Sequence, residues 1–158
     1  MVVARNKTLR LKLNHFFNQT VHLYQSDDHV KTSMDTILLA ASINASKFKK
    51  QQKIFVLDVG SGIGGGDVLL SYRLKNTDII GIEIQQDLIE IAKKNAKKNC
   101  LEDRIDFVNF DIADNRSHIL KKDGFDWVMT NPPFHIGETS PLKNKSISYT
   151  ENDISLQK

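Results

Sequence analysis

The segment WVMTNPPFHIG at residues 127–137 places an amide, two prolines and an aromatic ring directly after an apolar run. A residue that precedes proline avoids the helical conformation, so Pro132 and Pro133 keep the chain extended after Asn131. The carbonyl groups of such a bend have no helical partner and are free to accept hydrogen bonds from a ligand. The alternative interpretation is a plain strand-ending turn, which the dipeptides NP and PP often mark.

This combination of groups suits methyl transfer to an amino group on a planar ring. The Asn131 side-chain oxygen and the Pro132 carbonyl can each accept one N–H of that amino group, which turns the nitrogen lone pair toward a methyl donor. Phe134 can stack on the ring, an interaction worth about 1–3 kcal/mol. We therefore predict that the reaction depends on four residues, which are Asn131, Pro132, Pro133 and Phe134, and that Asn131 also contacts the methyl donor.

A glycine-rich loop, LDVGSGIGGG, separates a predicted strand from a predicted helix. Gly60, Gly62 and Gly65 have the GxGxxG spacing that allows a tight turn and lets N–H groups approach a ligand, and Gly64 lies within the same loop. NAD and S-adenosylmethionine compete as ligands, and a turn without any ligand is the alternative. Asp58 favours S-adenosylmethionine, because its carboxylate would repel a pyrophosphate but would suit the ammonium of a methionine moiety.

Acidic residues also follow the next two predicted strands. Glu83 ends the second strand, where its two oxygens can accept both ribose hydroxyls of either ligand. Asp111 follows the third strand and can accept a hydrogen bond from an adenine amino group, with Ile84 and Ile112 packing on the faces of the ring. The alternatives are a solvated carboxylate for Glu83 and a turn residue for Asp111.

Strands and helices alternate from Ile54 onward, which predicts a parallel α/β sheet. The run IFVLDV is apolar almost throughout, as expected for a strand covered on both faces. In the helix QDLIEIAKKNAKKN, Leu88, Ile91, Ala92 and Ala96 share an inward face, and the lysines face mostly outward. The remaining predicted elements are the helix DVLLSYRL and the strands DIIGIEI, RIDFVNF and FDWVMT.

Residues 1–32 form a predicted N-terminal extension with short strands, and residues 33–158 form the predicted core domain. TLRLKL alternates apolar and basic residues, and VHLYQ is a second strand candidate. The segment TSMDTILLAASINA predicts a helix that is capped by Thr32 or Ser33. The apolar surface of this helix is predicted at Ile37, Leu38, Ala41 and Ile43.

Composition limits the classes of protein to which the chain can belong. The net charge is +3, which is compatible with a nucleic acid partner but does not require one. Cys100 is the only cysteine and the histidines have no ligand spacing, so we predict neither a disulfide nor a metal site. No run resembles a membrane span or a signal peptide, so we expect a cytoplasmic protein without a membrane partner. Two groups of basic residues are candidates for RNA contacts: the N-terminal residues Arg5, Lys7, Arg10 and Lys12, which are favoured, and the KKNAKK run, whose outward lysines are otherwise simply solvated.

Taken together, these motifs resemble the class I methyltransferases that carry an Asn-Pro-Pro-(Tyr/Phe) motif and modify amino or amide nitrogens. The resemblance rests on LDVGSGIG, GIEIQQDLIEIAKKNAKKN, DFVNFDIAD and FDWVMTNPPFHIG. Within that group the chain is most similar to the tRNA(Val) adenine N6-methyltransferase family, whose Thr-Asp-x-x-Leu-Leu-x-Ala helix resembles SMDTILLAA. The resemblance implies a Rossmann-like parallel sheet, S-adenosylmethionine as the cofactor and adenine N6 in tRNA as the methyl acceptor.

Three alternative functions remain open at this point. Protein glutamine N5-methyltransferases share the double-proline motif, so the resemblance extends to them. An NAD-dependent oxidoreductase would use the same glycine loop. A catalytically inactive relic that still binds cofactor is the third alternative.

The chain also departs from the pattern of these relatives. Met34 stands where the adenine N6-methyltransferases usually have Thr. A class I methyltransferase sheet has seven strands, and the polar segment after the double proline contains no obvious strand. We therefore expect the C-terminal strands to be missing, and the fourth strand to form an exposed edge that a second copy of the chain can cover.

Overall fold

The computed structural model describes residues 10–27, 29, 31–49, 51–113 and 123–132. Strands alternate with helices over most of this part of the chain, as the sequence pattern predicts. The elements are β1 (Leu11–Phe16), β2 (Val21–Ser26), α1 (Met34–Ser42), a 3-10 helix (Ala45–Lys47), β3 (Ile54–Val59), α2 (Gly65–Arg73), β4 (Thr77–Glu83), α3 (Gln86–Lys98), β5 (Ile105–Asn109) and β6 (Trp127–Thr130).

Four parallel strands form the central sheet in the order β5–β4–β3–β6. Val56 of β3 lies beside Ile79 of β4, and Asp58 of β3 lies beside Met129 of β6. Since successive strands are added on both sides of β3, the carboxyl ends of β3 and β6 flank a topological switch point, where sheets of this kind bind ligands. The predicted Rossmann-like parallel sheet is confirmed.

The central strand β3 has the boundaries that its apolar run predicts. Ile54, Val56 and Leu57 are buried, but Phe55 is 48% exposed, so one face of this strand is only partly covered. Within the described part of the chain β6 is an edge strand, and its Val128 is 60% exposed. The pairing of this edge with a second copy of the chain stays a prediction.

Helix α1 begins as predicted but turns a different face to the core. Ser33 is its N-cap and accepts a hydrogen bond from the backbone of the first turn. Leu38 is 59% exposed and Ala41 is also exposed, so their prediction as packing residues is wrong, while Ala40 and Ile43 are buried. Ile37, which was also predicted, is partly buried against the core. The face is set by α2, which packs along α1.

Arg73 at the end of α2 ties that helix to the end of α1. Its guanidinium donates hydrogen bonds to the carbonyl oxygens of Ala40 and Ile43 at 2.9 and 2.6 Å. These carbonyls lie at the C-terminus of α1, where the backbone has no partner within the helix. The Arg73 contact therefore supplies partners for two carbonyls at the end of α1 and fixes the position of that helix on α2.

The ring of Phe107 fills the space beside two glycines. A Cβ atom at Gly64 would lie 2.6 Å from Cζ of Phe107, and a Cβ atom at Gly81 would lie 2.7 Å from Cδ1 of the same ring. Carbon atoms in contact are normally separated by about 3.5–4.0 Å. Both glycines are therefore required by the packing of β5 against β4 and the start of α2.

The N-terminal hairpin β1–β2 is joined to α3 by two side-chain amides. Asn95 accepts a hydrogen bond from the N–H of Tyr24 at 2.6 Å and donates one to the carbonyl of Tyr24 at 3.1 Å. One turn later, Asn99 makes the same pair of bonds to the backbone of His22, at 2.9 and 2.6 Å. The two amides thus act toward β2 as a neighbouring strand would, and Leu23 between them enters the same hydrophobic core as the central sheet.

Replacing Asn95 with alanine is expected to lower the free energy of unfolding by about 2–4 kcal/mol, because buried backbone groups lose their partners. Asn95 is fully buried, and its amide also donates to the carbonyl of Ile63 at 2.9 Å. Urea denaturation followed by circular dichroism measures the change. Lys94→Ala, at the exposed neighbouring position of α3, is the control. Equal stability of the two variants would contradict the structural role assigned to the amide.

Candidate active site

The carboxyl ends of the four parallel strands bring the predicted site residues to one edge of the sheet. Asp58 lies near the end of β3, and Glu83 is the last residue of β4. Asp111 follows β5 by two positions, and Asn131 follows β6 directly. Residues that are up to 73 positions apart in the sequence therefore converge here, because parallel strands end on the same side.

The glycine loop has two parts with different roles. Gly60 and Gly62 have φ values of 76° and 56°, which favour glycine, and a Cβ atom at either residue would meet nothing within 4 Å. Gly64 and Gly65 are instead closely packed, the first against β5 and the second against Thr32. The first two glycines thus border open space, and the next two hold the start of α2 in place.

Glu83 holds the glycine loop from the neighbouring strand. Its Oε2 accepts a hydrogen bond from the N–H of Gly62 at 3.0 Å, and its Oε1 accepts one from the N–H of Gln85 at 2.9 Å. The residue is 7% exposed. These bonds fix the orientation of the carboxylate, and each oxygen keeps a lone pair with which it can accept a further hydrogen bond.

Exposed apolar side chains flank the ends of β4 and β5. Ile84 and Ile112 are 40% and 55% exposed, and Asp111 is exposed and accepts a hydrogen bond from the backbone two residues later at 2.9 Å. That bond is typical of a turn residue and leaves further acceptor capacity. Asn109, which the sequence analysis missed, links the two strand ends by donating to the carbonyl of Ile84 at 2.8 Å. The adenine contacts of Ile84, Asp111 and Ile112 stay a prediction.

Asn131 is held between β6 and α1. Its Nδ2 donates a long hydrogen bond of 3.4 Å to Oγ1 of Thr36, and the preceding Thr130 hydroxyl donates to the carbonyl of Val59 at 2.9 Å. An amide whose N–H group is engaged in this way presents its oxygen as the free acceptor. Thr36 was not singled out from the sequence, because nothing local shows that the start of α1 meets the end of β6.

Pro132 is exposed beside Asn131. Pro133 and Phe134 lie outside the described residues, so their parts in the reaction stay predictions. The same holds for Arg5 and Lys7 among the basic residues that were predicted to contact RNA.

Two buried carboxyl groups, those of Asp58 and Asp67, lie next to the glycine loop. The sequence analysis predicted only Asp58. Asp67, in the first turn of α2, is fully buried, and neither of its oxygens has a hydrogen-bond partner of good geometry within the described residues. Burial raises the pKa of Asp67 to about 7, an effect that interaction with Asp58 partly offsets. Burial, together with the charges of Asp67 and Glu83, holds the pKa of Asp58 well above its usual range.

The sequence analysis missed Asp67 because an acidic residue in the first turn of a helix normally faces solvent. The only local signal is that it follows three glycines, at which no side chain separates the turn from the strands beneath. Over the ranges that the structure describes, no group of three or more His, Cys, Asp or Glu residues is arranged to bind a metal ion. In the same ranges, no helix is long and apolar enough to span a membrane.

The sequence profile of the methyltransferase small domain family matches residues 29–147. The match covers more than half of the chain, and the chain therefore belongs to this family of S-adenosylmethionine-dependent methyltransferases. The predictions of the family and of S-adenosylmethionine as the family's cofactor are confirmed. Membership also favours this ligand over NAD for the glycine loop.

Relatives and solved structures agree with this assignment. The chain is 28% identical over 124 residues to a release factor glutamine methyltransferase of Francisella tularensis subsp. tularensis, covering 78% of this chain and 41% of the relative. It is 30% identical over 104 residues to a tRNA1(Val) (adenine(37)-N6)-methyltransferase of Porphyromonas gingivalis. That alignment covers 65% of this chain and 41% of the relative. The chain thus spans about two fifths of the length of these curated relatives.

A solved structure supports the fold alone. It is that of a proposed sarcosine dimethylglycine methyltransferase from Galdieria sulphuraria, which is 19% identical with a TM-score of 0.53. The alignment covers 63% of this chain and 35% of that one.

The two buried carboxyl groups make stability depend on pH in a direction opposite to that of ordinary acidic residues. In the folded protein Asp67 retains its proton up to about pH 7 and burial also raises the pKa of Asp58, whereas an aspartate in the unfolded chain releases its proton near pH 3.8. Between pH 3.8 and pH 7 the folded state therefore binds more protons, so the free energy of unfolding falls as pH rises. We expect a fall of about 2–3 kcal/mol between pH 5 and pH 8 from this source.

Asp67→Asn is expected to reduce this dependence, because it removes the carboxyl group whose pKa burial raises to about 7. Urea denaturation at several pH values measures the slope, and Asp103→Asn, at an exposed turn, is the control for a lost surface charge. Equal slopes for the Asp67 variant and the wild type would show that the pair does not retain a proton.

Proposed function

We propose that the chain transfers a methyl group from S-adenosylmethionine to an exocyclic amino nitrogen, most specifically N6 of adenine in tRNA. The observation that carries this proposal is the position of Asn131. It follows the strand that pairs with β3, and therefore lies next to the strand that carries Asp58 and leads into the glycine loop. The hydrogen bond from its Nδ2 to Thr36 leaves the side-chain oxygen free to accept an N–H.

The residues of the loop edge are suited to hold the methyl donor. Gly60 and Gly62 leave open space for the donor's methionine moiety, and the adjacent Gly64 fixes the start of α2. Asp58 accepts the ammonium group of that moiety, and Glu83 accepts the ribose hydroxyls. The adenine of the donor packs between Ile84 and Ile112, and Asp111 accepts a hydrogen bond from its amino group. Open space at the first two glycines and the fixed carboxylate of Glu83 support this arrangement.

The chemical step requires orientation and charge stabilisation more than it requires a strong base. The Asn131 oxygen and the Pro132 carbonyl each accept one N–H of the acceptor amine, so its lone pair faces the methyl carbon. A bond forms between nitrogen and carbon, the carbon–sulfur bond breaks, and sulfur keeps the electron pair. The two acceptors stabilise the positive charge that develops on nitrogen, and a proton then leaves to water. Pro133 keeps the bend rigid, and Phe134 stacks on the acceptor base.

A second candidate acceptor is the side-chain amide of a protein glutamine. The observation that favours it is the relative from Francisella tularensis, which is named for release factor glutamine methylation. A glutamine amide and an adenine amino group each present two N–H groups on a planar nitrogen, so the catalytic groups do not separate the two acceptors.

Surface charge gives modest support to the RNA acceptor. The outer face of α3 carries a row of exposed lysines that form no ion pairs within the described part of the chain. Such a row can bind the phosphate groups of an RNA backbone. Its members are Lys93, Lys94, Lys97 and Lys98. Lys12, which was predicted to contact RNA, is less suited because it forms an ion pair with Asp27 at 2.6 Å. Arg10 is exposed and keeps its predicted role.

Methyl transfer from labelled S-adenosylmethionine to two acceptors distinguishes the candidates. We expect the chain to label tRNA that lacks the modification, and nucleoside analysis to locate the label on N6 of adenine. Label on a release factor glutamine, with none on tRNA, would replace the first proposal by the second. Binding of NAD with no binding of S-adenosylmethionine would contradict both.

Asn131→Ala is expected to lower the rate of methyl transfer by about 10²–10³-fold, because one of the two acceptors at the amine is lost. Binding of S-adenosylmethionine, measured by calorimetry, should change by less than about threefold, because Asn131 acts mainly on the acceptor. Asn14→Ala, which removes an exposed amide in the hairpin, is the control. A normal rate for Asn131→Ala would exclude the proposed role of the amide.

Glu83→Gln is expected to weaken S-adenosylmethionine binding by about 10–100-fold. An amide in place of the carboxylate has one acceptor oxygen instead of two, so either the bond to Gly62 or the bond to Gln85 is lost, together with acceptors for the ribose. Calorimetry measures the affinity, and Glu102→Gln at an exposed turn is the control. Unchanged affinity would contradict the proposed contact between Glu83 and the ribose hydroxyls.

A further inference from the structure

Asp67 occupies a position where a carboxyl group has no evident structural partner. It is the third residue of α2, it is fully buried, and its oxygens have no hydrogen-bond partner of good geometry within the described residues. A charged carboxylate in such a place is costly unless it is neutralised or paired. Apolar side chains would pack the start of α2 at lower cost, so the carboxyl group calls for another explanation.

The group next to Asp67 that can share its charge state is the carboxyl group of Asp58. Asp58 is 6% exposed, and its Oδ2 lies 3.7 Å from the Cβ position of Gly66, in the same turn as Asp67. Two neighbouring carboxyl groups that are both removed from water cannot both ionise readily, and such a pair holds one proton between them.

Within the part of the chain that the structure describes, the other elements packed around this turn bring no positive charge to the pair. β4 contributes Glu83, which is acidic and adds to the repulsion. Apart from Asp58 itself, the described residues that lie against the glycines of this turn are uncharged; they are Thr32 before α1, Thr36 of α1, Ala92 of α3, Phe107 of β5 and Met129 of β6. β2 also packs on α2, and its core residues Val21 and Leu23 are apolar. A ligand cation is therefore the counter-charge that this site is suited to receive.

We propose that Asp58 and Asp67 share one proton in the cofactor-free protein, and that they release it to solvent when the ammonium group of the cofactor's methionine moiety binds at Asp58. This inference rests on the proposed function, which assigns the ammonium group to Asp58. Asp67 does not touch the ligand in this scheme. It is a positioning residue that determines whether Asp58 is protonated. When the ammonium group of the ligand binds, it replaces the proton that the two carboxyl groups had shared.

The scheme makes cofactor affinity depend on pH over the physiological range. Affinity rises as pH increases, because less of the free protein then has to lose a proton on binding. S-adenosylhomocysteine, the product left after methyl transfer, carries the same ammonium group and should respond in the same way. A change of pH therefore alters the affinity for donor and product together and leaves their ratio unchanged.

Calorimetric titration of the full chain with S-adenosylhomocysteine tests the proposal directly. The titration is run at pH 6, 7 and 8, each time in two buffers with different ionisation enthalpies, so the proton count follows from the difference in heat. With a pKa of about 7 for Asp67 in the free protein, we expect release of about 0.9 proton per ligand at pH 6 and about 0.1 at pH 8. The dissociation constant should fall by about tenfold between pH 6 and pH 8.

Asp67→Asn should bind with the same heat in both buffers and with little dependence on pH, whereas Asp103→Asn should behave as the wild type does. Binding by the wild type without proton release at pH 6 would overturn the proposal and leave the proposed function intact. Proton release that persists in Asp67→Asn would also overturn it. If the variant does not fold, the wild-type proton count at pH 6 decides alone. Absence of any binding would contradict the proposed function and, with it, the inference.

Discussion

The buried amide of Asn95 is the interaction on which the arrangement of the site depends. Its Nδ2 donates to the carbonyl of Tyr24 in the hairpin and to that of Ile63 in the glycine loop, while its Oδ1 accepts from the N–H of Tyr24. One side chain of α3 thus joins the N-terminal hairpin to the loop that borders the open space. The loop is held from the other side by Glu83, so its conformation is fixed before any ligand binds.

The elements of the central sheet were predictable because each depends on local pattern. The apolar run IFVLDV identifies β3 without any knowledge of the strands beside it. In α3, the helical period correctly predicts the buried residues, which are Leu88, Ile91, Ala92 and Ala96. The contacts that were missed join distant parts of the chain. Asn95 lies among lysines that face solvent, and its partner Tyr24 lies 71 positions away. Asp67 was missed for a related reason, since only the folded start of α2 turns it toward Asp58.

The family assignment and the geometry answer different questions. Membership in the methyltransferase small domain family defines the chemistry that the relatives share, and the relatives named here act on a tRNA adenine or on a protein glutamine. Both acceptors are planar nitrogens with two N–H groups, so one set of acceptor oxygens can serve both. Under the proposed function, the choice between them depends on surfaces that contact the rest of the acceptor molecule, and we propose the exposed lysines of α3 as one such surface.

The close packing of Phe107 against Gly64 and Gly81 has a consequence for how this core can change. The three residues share one fixed volume, in which the ring occupies the space that two side chains would otherwise fill. A larger residue at either glycine is compatible with the fold only when a smaller residue stands at position 107, and even then Gly64 must keep its positive φ of 73°. These positions are therefore expected to change together. A larger residue at either glycine alone would clash with the Phe107 ring, and a smaller residue at position 107 alone would leave a cavity.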